Sequence, residues 1–461
     1  MKTVVDSGNA LGAGLALIRS EFQVPSAFPA EVVQAAEEAA SRVPAEYVDR
    51  TDLPFVTLDP ASSTDLDQAL WIEPSGGDLL LRYAIADVAW FVDDGGPIDA
   101  EAWRRGETLY LPDGKASLYP PVLSERAASL LPQGPRPAVL LAVRVDGDGT
   151  VRLEGAERAV IRSRAKLAYD NVGAADLPKA FGEFAQRIQR AEAQRGSARV
   201  DPPEQEVLAL PGGGFELAFR PRLKSEADNA SLSLAANLAV ADALQSHATG
   251  LFRVMAEPDD EAVARLRLSA QALKVDWPGS MNLRDFERTL SPDSAEQAAL
   301  MMAIRRAGPG ASYAPYREGV VPWHAAMAAT YAHATAPLRR LADRYVLRAV
   351  LAVSNGRTVP SVVSEAFEKL PAVMARADAQ AGKIDRAVVD LAETLVLSGK
   401  EGETFGSVVT DVDERAAKVQ LCDWPVAARV AALGLAPGEC VTLRLETVDT
   451  VRRSLQFSLV E

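Results

Sequence analysis

The sequence predicts an α+β protein in which a mixed strand-then-helix domain precedes a small all-β barrel of the OB-fold type. Residues 51–165 contain β-rich runs separated by Gly, Asp and Pro turns, whereas helical patterns dominate residues 230–397. Strand-like runs return over residues 400–461. Because strands and helices occupy separate stretches and do not alternate, a doubly wound parallel sheet is disfavoured.

We expect three segments along the chain. Residues 1–50 form a short, largely helical appendage, in which the run FPAEVVQAAEEAASRVP predicts an amphipathic helix that ends at Pro44. The apolar positions at helical spacing in this run are Val32, Val33, Ala36 and Ala40. Residues 51–397 form the main domain. Residues 400–461, joined to it through SGKEGE, form an OB-fold barrel of the kind that often binds single-stranded nucleic acid.

Composition limits the chemistry that the chain can perform. Its 461 residues include 49 Lys and Arg against 63 Asp and Glu, a net charge of −14. This acidity counts modestly against a nucleic-acid partner, because a local groove can be positive on an acidic protein. Two cysteines cannot build a disulfide framework, and three histidines disfavour a His-built zinc centre. A compact metal site must therefore use oxygen ligands.

The N-terminal stretch does not resemble a secretory signal, since Asp6 and Asn9 interrupt its apolar residues. No run of about 18 apolar residues occurs that could cross a bilayer. We therefore expect a cytoplasmic protein with no membrane partner, and we expect it to be a monomer.

An acidic cluster is the most informative segment. The apolar run FVTL leads into a loop that contains Asp59, Asp65 and Asp67, followed by Gln68. Ionised carboxylates this close repel one another, and Mg²⁺ would relieve the conflict because it favours hard oxygen ligands. A solvated, Asp-rich turn is the alternative. A calcium loop fits less well, because the Gly and Glu that an EF-hand needs at its sixth and twelfth positions are missing.

A second cluster, YAHATAPLRRLADRY, lies far downstream. Thr335 is a suitable N-cap and Pro337 suits a first turn, so we expect a helix to begin at Thr335. Arg339 and Arg340 are unfavourable for the helix dipole in a first turn unless a phosphate binds there. The alternative is an ion pair between Arg339 and Asp343. Together the two clusters contain the groups needed for metal-assisted phosphoryl chemistry.

These segments resemble the ribonuclease II family of exoribonucleases over residues 51–395, its RNB catalytic domain. The matching segments include DLPFVTLDPASSTDLDQAL, YAIADVAWFVDDGGPIDAEAWRRGETLYLP, LYPPVLSERAASLLP and YAHATAPLRRLADRY. A C-terminal RNA-binding barrel of the ribosomal-protein type follows, as in that family. The resemblance implies hydrolysis of single-stranded RNA from the 3′ end to nucleoside 5′-monophosphates, with Mg²⁺ or Mn²⁺ as the cofactor.

The resemblance also assigns roles to individual residues. Asp59 and Asp65 match metal ligands, and Asp67 matches the catalytic carboxylate whose loss should hurt most. Tyr110 matches the tyrosine that stacks on the 3′-terminal base, although a core aromatic on an edge strand is the alternative. Arg339 matches the arginine beside the scissile phosphate. We assign its neighbour Arg340 to RNA binding.

The sequence departs from the family pattern at several positions. Gln68 stands where the family has a fourth aspartate, so a neutral amide would complete the metal site. Val200 lies where a second stacking aromatic is usual, and Ala336 replaces a serine. Residues 1–50 are too short for the usual pair of cold-shock barrels. A non-catalytic RNA-binding protein on the same scaffold, and a DNA-directed nuclease, therefore remain alternatives.

Overall fold

The computed structural model describes residues 2–4, 9–197, 204–210, 214–220, 223–291, 294–412, 416–431 and 434–460. Within these residues the helices are α1 (Ala10–Glu21), α2 (Ala30–Ala40), α3 (Pro97–Arg105), α4 (Phe181–Arg195), α5 (Lys224–Ser246), α6 (Asp260–Ala272), α7 (Leu283–Glu287), α8 (Ala295–Ala307), α9 (Leu341–Ser354) and α10 (Ser361–Leu397). Val200 lies outside the described residues.

The strands in the described part of the chain are β1 (Lys2–Val4), β2 (Val48–Asp59), β3 (Gln68–Ser75), β4 (Asp78–Ala86), β5 (Leu109–Leu111), β6 (Gly114–Ala116), β7 (Arg136–Val145), β8 (Val151–Ala168), β9 (Glu204–Ala209), β10 (Phe215–Arg220), β11 (Leu251–Val254), β12 (Ser312–Pro315), β13 (Trp323–His324), β14 (Ala329–Thr330), β15 (Thr404–Val412), β16 (Ala416–Leu421), β17 (Ala427–Ala431), β18 (Cys440–Asp449) and β19 (Ser454–Leu459). The predicted α+β class is confirmed.

A closed five-stranded barrel, in the order β2-β3-β4-β7-β8, forms the centre of the main domain. Neighbouring strands are antiparallel except for β2 and β8, whose parallel pairing closes the barrel. Residues 55–58 are buried at the end of β2, and Asp59 follows them directly. The barrel therefore delivers the acidic cluster to one of its rims, with Asp59 ending one strand and Gln68 beginning the next.

Helices cover the barrel. Helix α5 packs against β7 and β8 and is buried on most sides, while α9 contacts both α5 and β8. Helix α9 begins at Leu341, so the predicted start at Thr335 is wrong. The physical reason is a tertiary contact. Arg340 is extended, with φ −131° and ψ 124°, and forms an antiparallel bridge with Glu107, so the preceding residues make a turn and not a helix.

The N-terminal helices pack onto the main domain. Helix α2 has the predicted position and ends before Pro44, with Val32 and Ala36 buried, whereas Val33 is exposed. Helix α1 packs against the long helix α10, and β1 pairs with β10. Strand β2 already begins at Val48, inside the segment assigned to the appendage. The division into residues 1–50, 51–397 and 400–461 stays a prediction.

The C-terminal barrel (residues 404–459) is a five-stranded antiparallel sheet in the order β17-β16-β15-β18-β19. Its strands alternate buried and exposed residues, which is the pattern of a sheet with one face on a core. Its buried apolar residues share one core with α1 and α10. The predicted small all-β domain is confirmed. None of the helices within the described ranges is long and apolar enough to cross a membrane.

Candidate functional site

Asp67 lies at the centre of the candidate site and is 4% exposed. Its Oδ1 accepts a hydrogen bond of 2.7 Å from the backbone N–H of Leu338, 271 residues away in the sequence. The Nε of Arg339 lies 3.5 Å from its Oδ2. The structure therefore brings the acidic cluster and the arginine segment together, as a shared site requires.

The acidic loop (residues 60–67) is fixed by a buried serine. Ser129 Oγ donates a hydrogen bond to the carbonyl of Thr64 at 2.7 Å and accepts one from the N–H of Leu66 at 2.9 Å. The N–H of Leu130 donates to the carbonyl of Leu66 at 3.0 Å. Because Thr64 and Leu66 are both bonded to residues 129–130, the backbone on either side of Asp65 is fixed.

The arginine loop (residues 335–340) is also fixed by buried polar groups. The buried Asp343 accepts a hydrogen bond of 2.8 Å from the N–H of Ala336 and also pairs with Arg340 at 2.8 Å. The alternative of an ion pair between Arg339 and Asp343 does not form, since Arg340 occupies that carboxylate. Arg339 is left facing Asp67, with 43% of its side chain exposed.

Gln68 has no free polar atom in this arrangement. Its Nε2 donates a hydrogen bond to the carbonyl of Thr335, and its Oε1 accepts one of 3.3 Å from the hydroxyl of Tyr83. The amide nitrogen must face Thr335 because a carbonyl can only accept. Gln68 therefore connects the five-stranded barrel of the main domain to the arginine loop. The sequence had placed it at an open position on a metal ion.

Tyr110 lies on a short hairpin formed by β5 and β6, the Tyr110 hairpin. Its side chain is 50% exposed, which rules out the alternative of a core aromatic. Its hydroxyl donates a hydrogen bond of 3.0 Å to Asp65 Oδ2. The hairpin is linked to the arginine loop through the N–H of Thr108, which donates to the carbonyl of Arg339 at 3.0 Å. The exposed ring can therefore offer a stacking face beside the acidic residues.

Sequence reasoning missed Lys115, which is the cross-strand partner of Tyr110 in the hairpin. Its ammonium group lies 2.7 Å from Asp65 Oδ1 and 3.2 Å from Glu125 Oε1. The available signal was the spacing in YLPDGK, because a lysine directly across a tight hairpin from Tyr110 must point to the same side of the strands.

The acidic pocket (Asp59, Asp65 and Asp67) has strongly perturbed electrostatics. Burial raises the pKa of Asp67 to about 8, although Arg339 and the Leu338 N–H oppose the increase. Burial also raises the pKa of Asp59 to about 6, with Arg339 opposing it and the charge of Asp65 adding to it. No hydrogen bond to the Asp59 carboxylate occurs among the described residues. Burial thus disfavours the charged form of both acids, and a cation beside them would favour it.

The metal-ligand set Asp59, Asp65, Asp67 and Gln68 stays a prediction, and two of its members are engaged by other protein groups in the structure. Among the residues that the structure describes, no three His, Cys, Asp or Glu side chains are arranged as a ready metal site. Asp65 is bonded to Lys115 and Tyr110, and Gln68 is bonded to Thr335 and Tyr83. Asp59 has no hydrogen bond to its carboxylate among the described residues, and Asp67 Oδ2 has only the 3.5 Å ion-pair contact with Arg339, so these two acids are the more open candidates. One or two carboxylates completed by water and phosphate are the usual ligands of Mg²⁺.

A cavity of about 340 Å³ adjoins Tyr110 and Arg339. Its lining includes acidic residues that the sequence analysis did not single out, namely Glu107, Asp378 and Asp385. Burial raises the pKa of Glu107 to about 7, and the charge of Asp378 adds to this increase. The tyrosine and the arginine thus stand at the boundary between the acidic pocket and a second polar space.

Two known protein families match most of the chain. Residues 47–356 match the RNB domain, and residues 403–460 match the RNase II-type exonuclease C-terminal S1 domain. The chain belongs to the RNB family. This membership agrees with the resemblance deduced from the motifs and with the strand-then-helix order of the RNB domain described above.

Two RNB relatives illustrate the similarity. The chain is 28% identical to ribonuclease R of Aquifex aeolicus over 427 residues, which cover 86% of this chain and 60% of the relative. It is 30% identical to exoribonuclease 2 of Enterobacter sp. over 404 residues, 82% of this chain and 61% of that protein. The chain thus spans about 60% of the length of these curated relatives.

Among solved structures, Mycoplasma genitalium RNase R in complex with ribose methylated single-stranded RNA has a TM-score of 0.88 to this chain. The match has 21% sequence identity and covers 98% of this chain and 78% of the other. At this identity the likeness establishes a common fold.

Proposed function

We propose that this chain is a divalent-metal-dependent 3′→5′ exoribonuclease that degrades single-stranded RNA to nucleoside 5′-monophosphates. The observation that carries the proposal is the contact of Asp67 with Leu338 and Arg339, which joins two distant segments into one site. RNB-family membership and the names of the relatives support it. Buried acid beside an accessible arginine suits the charge changes of phosphodiester hydrolysis.

Asp59 and Asp67 would hold the metal in this proposal, with Mg²⁺ or Mn²⁺ as the ion. When bound, the ion would lower the pKa of a coordinated water and offset negative charge on the scissile phosphate. Asp65 and Gln68 would act on the site indirectly, Asp65 through the Tyr110 hairpin and Gln68 through the arginine loop.

Arg339 is the group that would contact the scissile phosphate. Its side chain is 43% exposed and its Nε lies 3.5 Å from Asp67, so its accessible N–H groups can donate to phosphoryl oxygens. The same guanidinium opposes the increase in the pKa of Asp67 and thus favours the ionised carboxylate. Arg340 would contribute to RNA binding by holding the loop, because its guanidinium is bonded to the buried Asp343.

Tyr110 would position the terminal nucleotide by stacking. Its ring is half-exposed, and its hydroxyl is bonded to Asp65. The face of the ring is therefore available for stacking, and the hydroxyl is not free to read the edge of a base. Stacking accepts every base, because each has a π-face. The enzyme would therefore trim RNA with little sequence preference.

The C-terminal barrel would hold RNA upstream of the cleaved end, as its five-stranded form and S1-type match suggest. A cytoplasmic location and a monomeric state stay predictions from the sequence.

A 5′-labelled single-stranded RNA of about 30 nucleotides tests the proposal. We expect stepwise shortening from the 3′ end with Mg²⁺ or Mn²⁺, no shortening in EDTA, and release of nucleoside 5′-monophosphates detected by chromatography. A DNA strand of matched sequence should persist, since contacts to the 2′-hydroxyl let proteins select RNA.

Other outcomes of this experiment identify the alternatives. Retention of RNA without any mononucleotide release at every Mg²⁺ and Mn²⁺ concentration would replace the proposal with a non-catalytic RNA-binding protein. Equal degradation of the DNA strand would replace it with a nuclease that does not depend on the 2′-hydroxyl.

A further inference from the structure

Lys115 places a positive charge directly on the acidic pocket. Its ammonium lies 2.7 Å from Asp65 Oδ1 and also within 3.2 Å of Thr64 Oγ1. The side chain is 19% exposed, and that of Asp65 is 10% exposed. The pair is therefore shielded from most solvent, where an ion pair is screened less than one on the surface.

Asp65 has a partner at each carboxylate oxygen. Oδ1 faces Lys115, and Oδ2 accepts the hydroxyl bond from Tyr110. A divalent ion bound to Oδ1 at the usual distance of about 2.1 Å would lie no more than about 5 Å from the ammonium nitrogen. Two positive groups at that separation, inside a pocket, repel each other strongly. Lys115 thus disfavours metal binding at Asp65.

The other candidate for a second ion is Gln68, and it is also engaged. Its oxygen accepts from Tyr83, which in turn lies 2.7 Å from Ser233 Oγ, and its nitrogen donates to Thr335. An amide also lacks the charge that would compensate a second dication. Asp59 and Asp67 are less closely engaged by cations: Arg339 Nε lies 3.5 Å from Asp67 Oδ2, against 2.7 Å between Lys115 and Asp65, and Lys166 acts on Asp59 only through its charge.

Resting on the proposed function, we infer that Lys115 takes the place of a second metal ion, so that the site binds one divalent cation through Asp59 and Asp67. Lys115 is thereby a positioning residue. It neutralises Asp65 and holds the Tyr110 hairpin against the acidic loop. The pocket would then contain one divalent ion and the ammonium group of Lys115, which does not exchange with solvent as a second ion would.

Counting bound Mn²⁺ on the full chain tests the inference without RNA or turnover. Electron paramagnetic resonance of free Mn²⁺ at pH 8 should give one ion per chain for the wild type. Lys115→Met should bind a second ion, with an affinity at least about tenfold above any second site of the wild type. Lys369→Met is the matched control, since Lys369 is exposed on α10, and it should bind one ion.

Two ions on the wild type, or one ion on a folded Lys115→Met, would overturn the inference. If circular dichroism shows that Lys115→Met does not fold, two other variants decide. Asp65→Asn should keep one ion with an affinity within about threefold of the wild type. Asp59→Asn should weaken binding at least about tenfold. Equal weakening in both variants would overturn the inference.

The same wild-type preparation is then given labelled RNA, which separates the two claims. One bound ion without RNA cleavage would leave the metal count standing and remove the exoribonuclease. Cleavage by a chain that binds two ions would do the reverse.

Discussion

The acidic pocket and the C-terminal barrel differ in how their charged side chains are placed: those of the pocket are largely buried, and those of the barrel face outward. In the pocket, Asp67 is buried and is held by groups that lie far away in the sequence. In the barrel, the charged side chains of β16 and β17 lie on the outer face of paired strands, and Lys418 stands opposite the exposed Arg429. The pocket thus depends on tertiary contacts between side chains, whereas the barrel depends on local backbone pairing.

This difference in burial indicates that the chemical step belongs to the pocket and RNA retention to the barrel. A buried carboxylate is costly unless a cation or hydrogen bond compensates it, so the pocket favours ions and reacting phosphate. Exposed charges on a sheet cost little and interact with a flexible chain at many points. We therefore expect substitutions in the pocket to abolish chemistry and substitutions on the barrel to weaken RNA retention only slightly.

The largest expected effect is that of Asp67→Asn. The amide keeps the shape of the side chain but removes its charge, so RNA cleavage should fall by about 10³-fold or more. Single-turnover rates on labelled RNA measure the loss. Asp52→Asn, an exposed acid on the same strand β2, should keep the wild-type rate. A Asp67→Asn variant as fast as this control would contradict the assignment of the pocket.

Tyr110 should have the next largest effect. Tyr110→Ala removes the exposed ring, and kcat/KM should fall about 10- to 100-fold, as expected from about 1–3 kcal/mol of stacking per base. Tyr110→Phe keeps the ring and loses only the bond to Asp65, so its loss should stay below about tenfold. Equal losses in both variants would indicate that the hydroxyl, and not stacking, is what matters.

The junction between helix α10 and the C-terminal barrel gives a pH prediction. Glu393 on α10 is buried, and its Oε1 accepts from the N–H of Ala427 at 2.8 Å. Burial raises the pKa of Glu393 from 4.5 to about 7. The folded chain therefore holds this proton more tightly than the unfolded chain, so stability is lost as the pH rises from about 4.5 to 7.

Glu393→Gln should remove this dependence. Between pH 5 and pH 8, the free energy of unfolding of the wild type should fall by about 2–3 kcal/mol more than that of the variant. Denaturant unfolding in EDTA at both values measures the difference. Parallel losses in the two proteins would show that Glu393 does not weaken the attachment of the barrel at high pH.

The smallest expected effect lies on the C-terminal barrel. Lys418→Gln and Arg429→Gln should each weaken RNA binding by about threefold and reduce the salt dependence by about 0.7 per charge removed. Cleavage at saturating RNA should not change. Arg452→Gln is the control, because its 85% exposed side chain lies in the turn before β19. A large loss of cleavage rate from either barrel variant would erase the distinction between the two regions.

The sequence predicted the components of the site better than their contacts. Asp59, Asp65 and Asp67 lie close together in the sequence, at the end of β2 and in the loop that follows, so local spacing was enough to identify them as a cluster. The start of α9 was wrong because Arg340 is extended by its bridge to Glu107, a contact across 233 residues of chain. Local capping signals cannot anticipate such a partner.

Two further features depended on pairing that the sequence does not reveal. The barrel of the main domain closes through the parallel pairing of β2 with β8. Residue periodicity predicts strands but not which strands pair. Gln68 was expected at a metal because it stands where the ribonuclease II family has a fourth aspartate. Its bonds to Thr335 and Tyr83 form only when the arginine loop packs against the barrel of the main domain, so its connecting role is visible only in the folded chain.

The most direct test of the shared site is a double-mutant cycle between Asp67 and Arg339, which lie 3.5 Å apart. Single-turnover cleavage is measured for the wild type, Asp67→Asn, Arg339→Gln and the double variant. If the two residues act as one unit, the double variant should be no more than about tenfold slower than the slower single variant. Losses that simply multiply would mean that the two segments act independently, which contradicts the account.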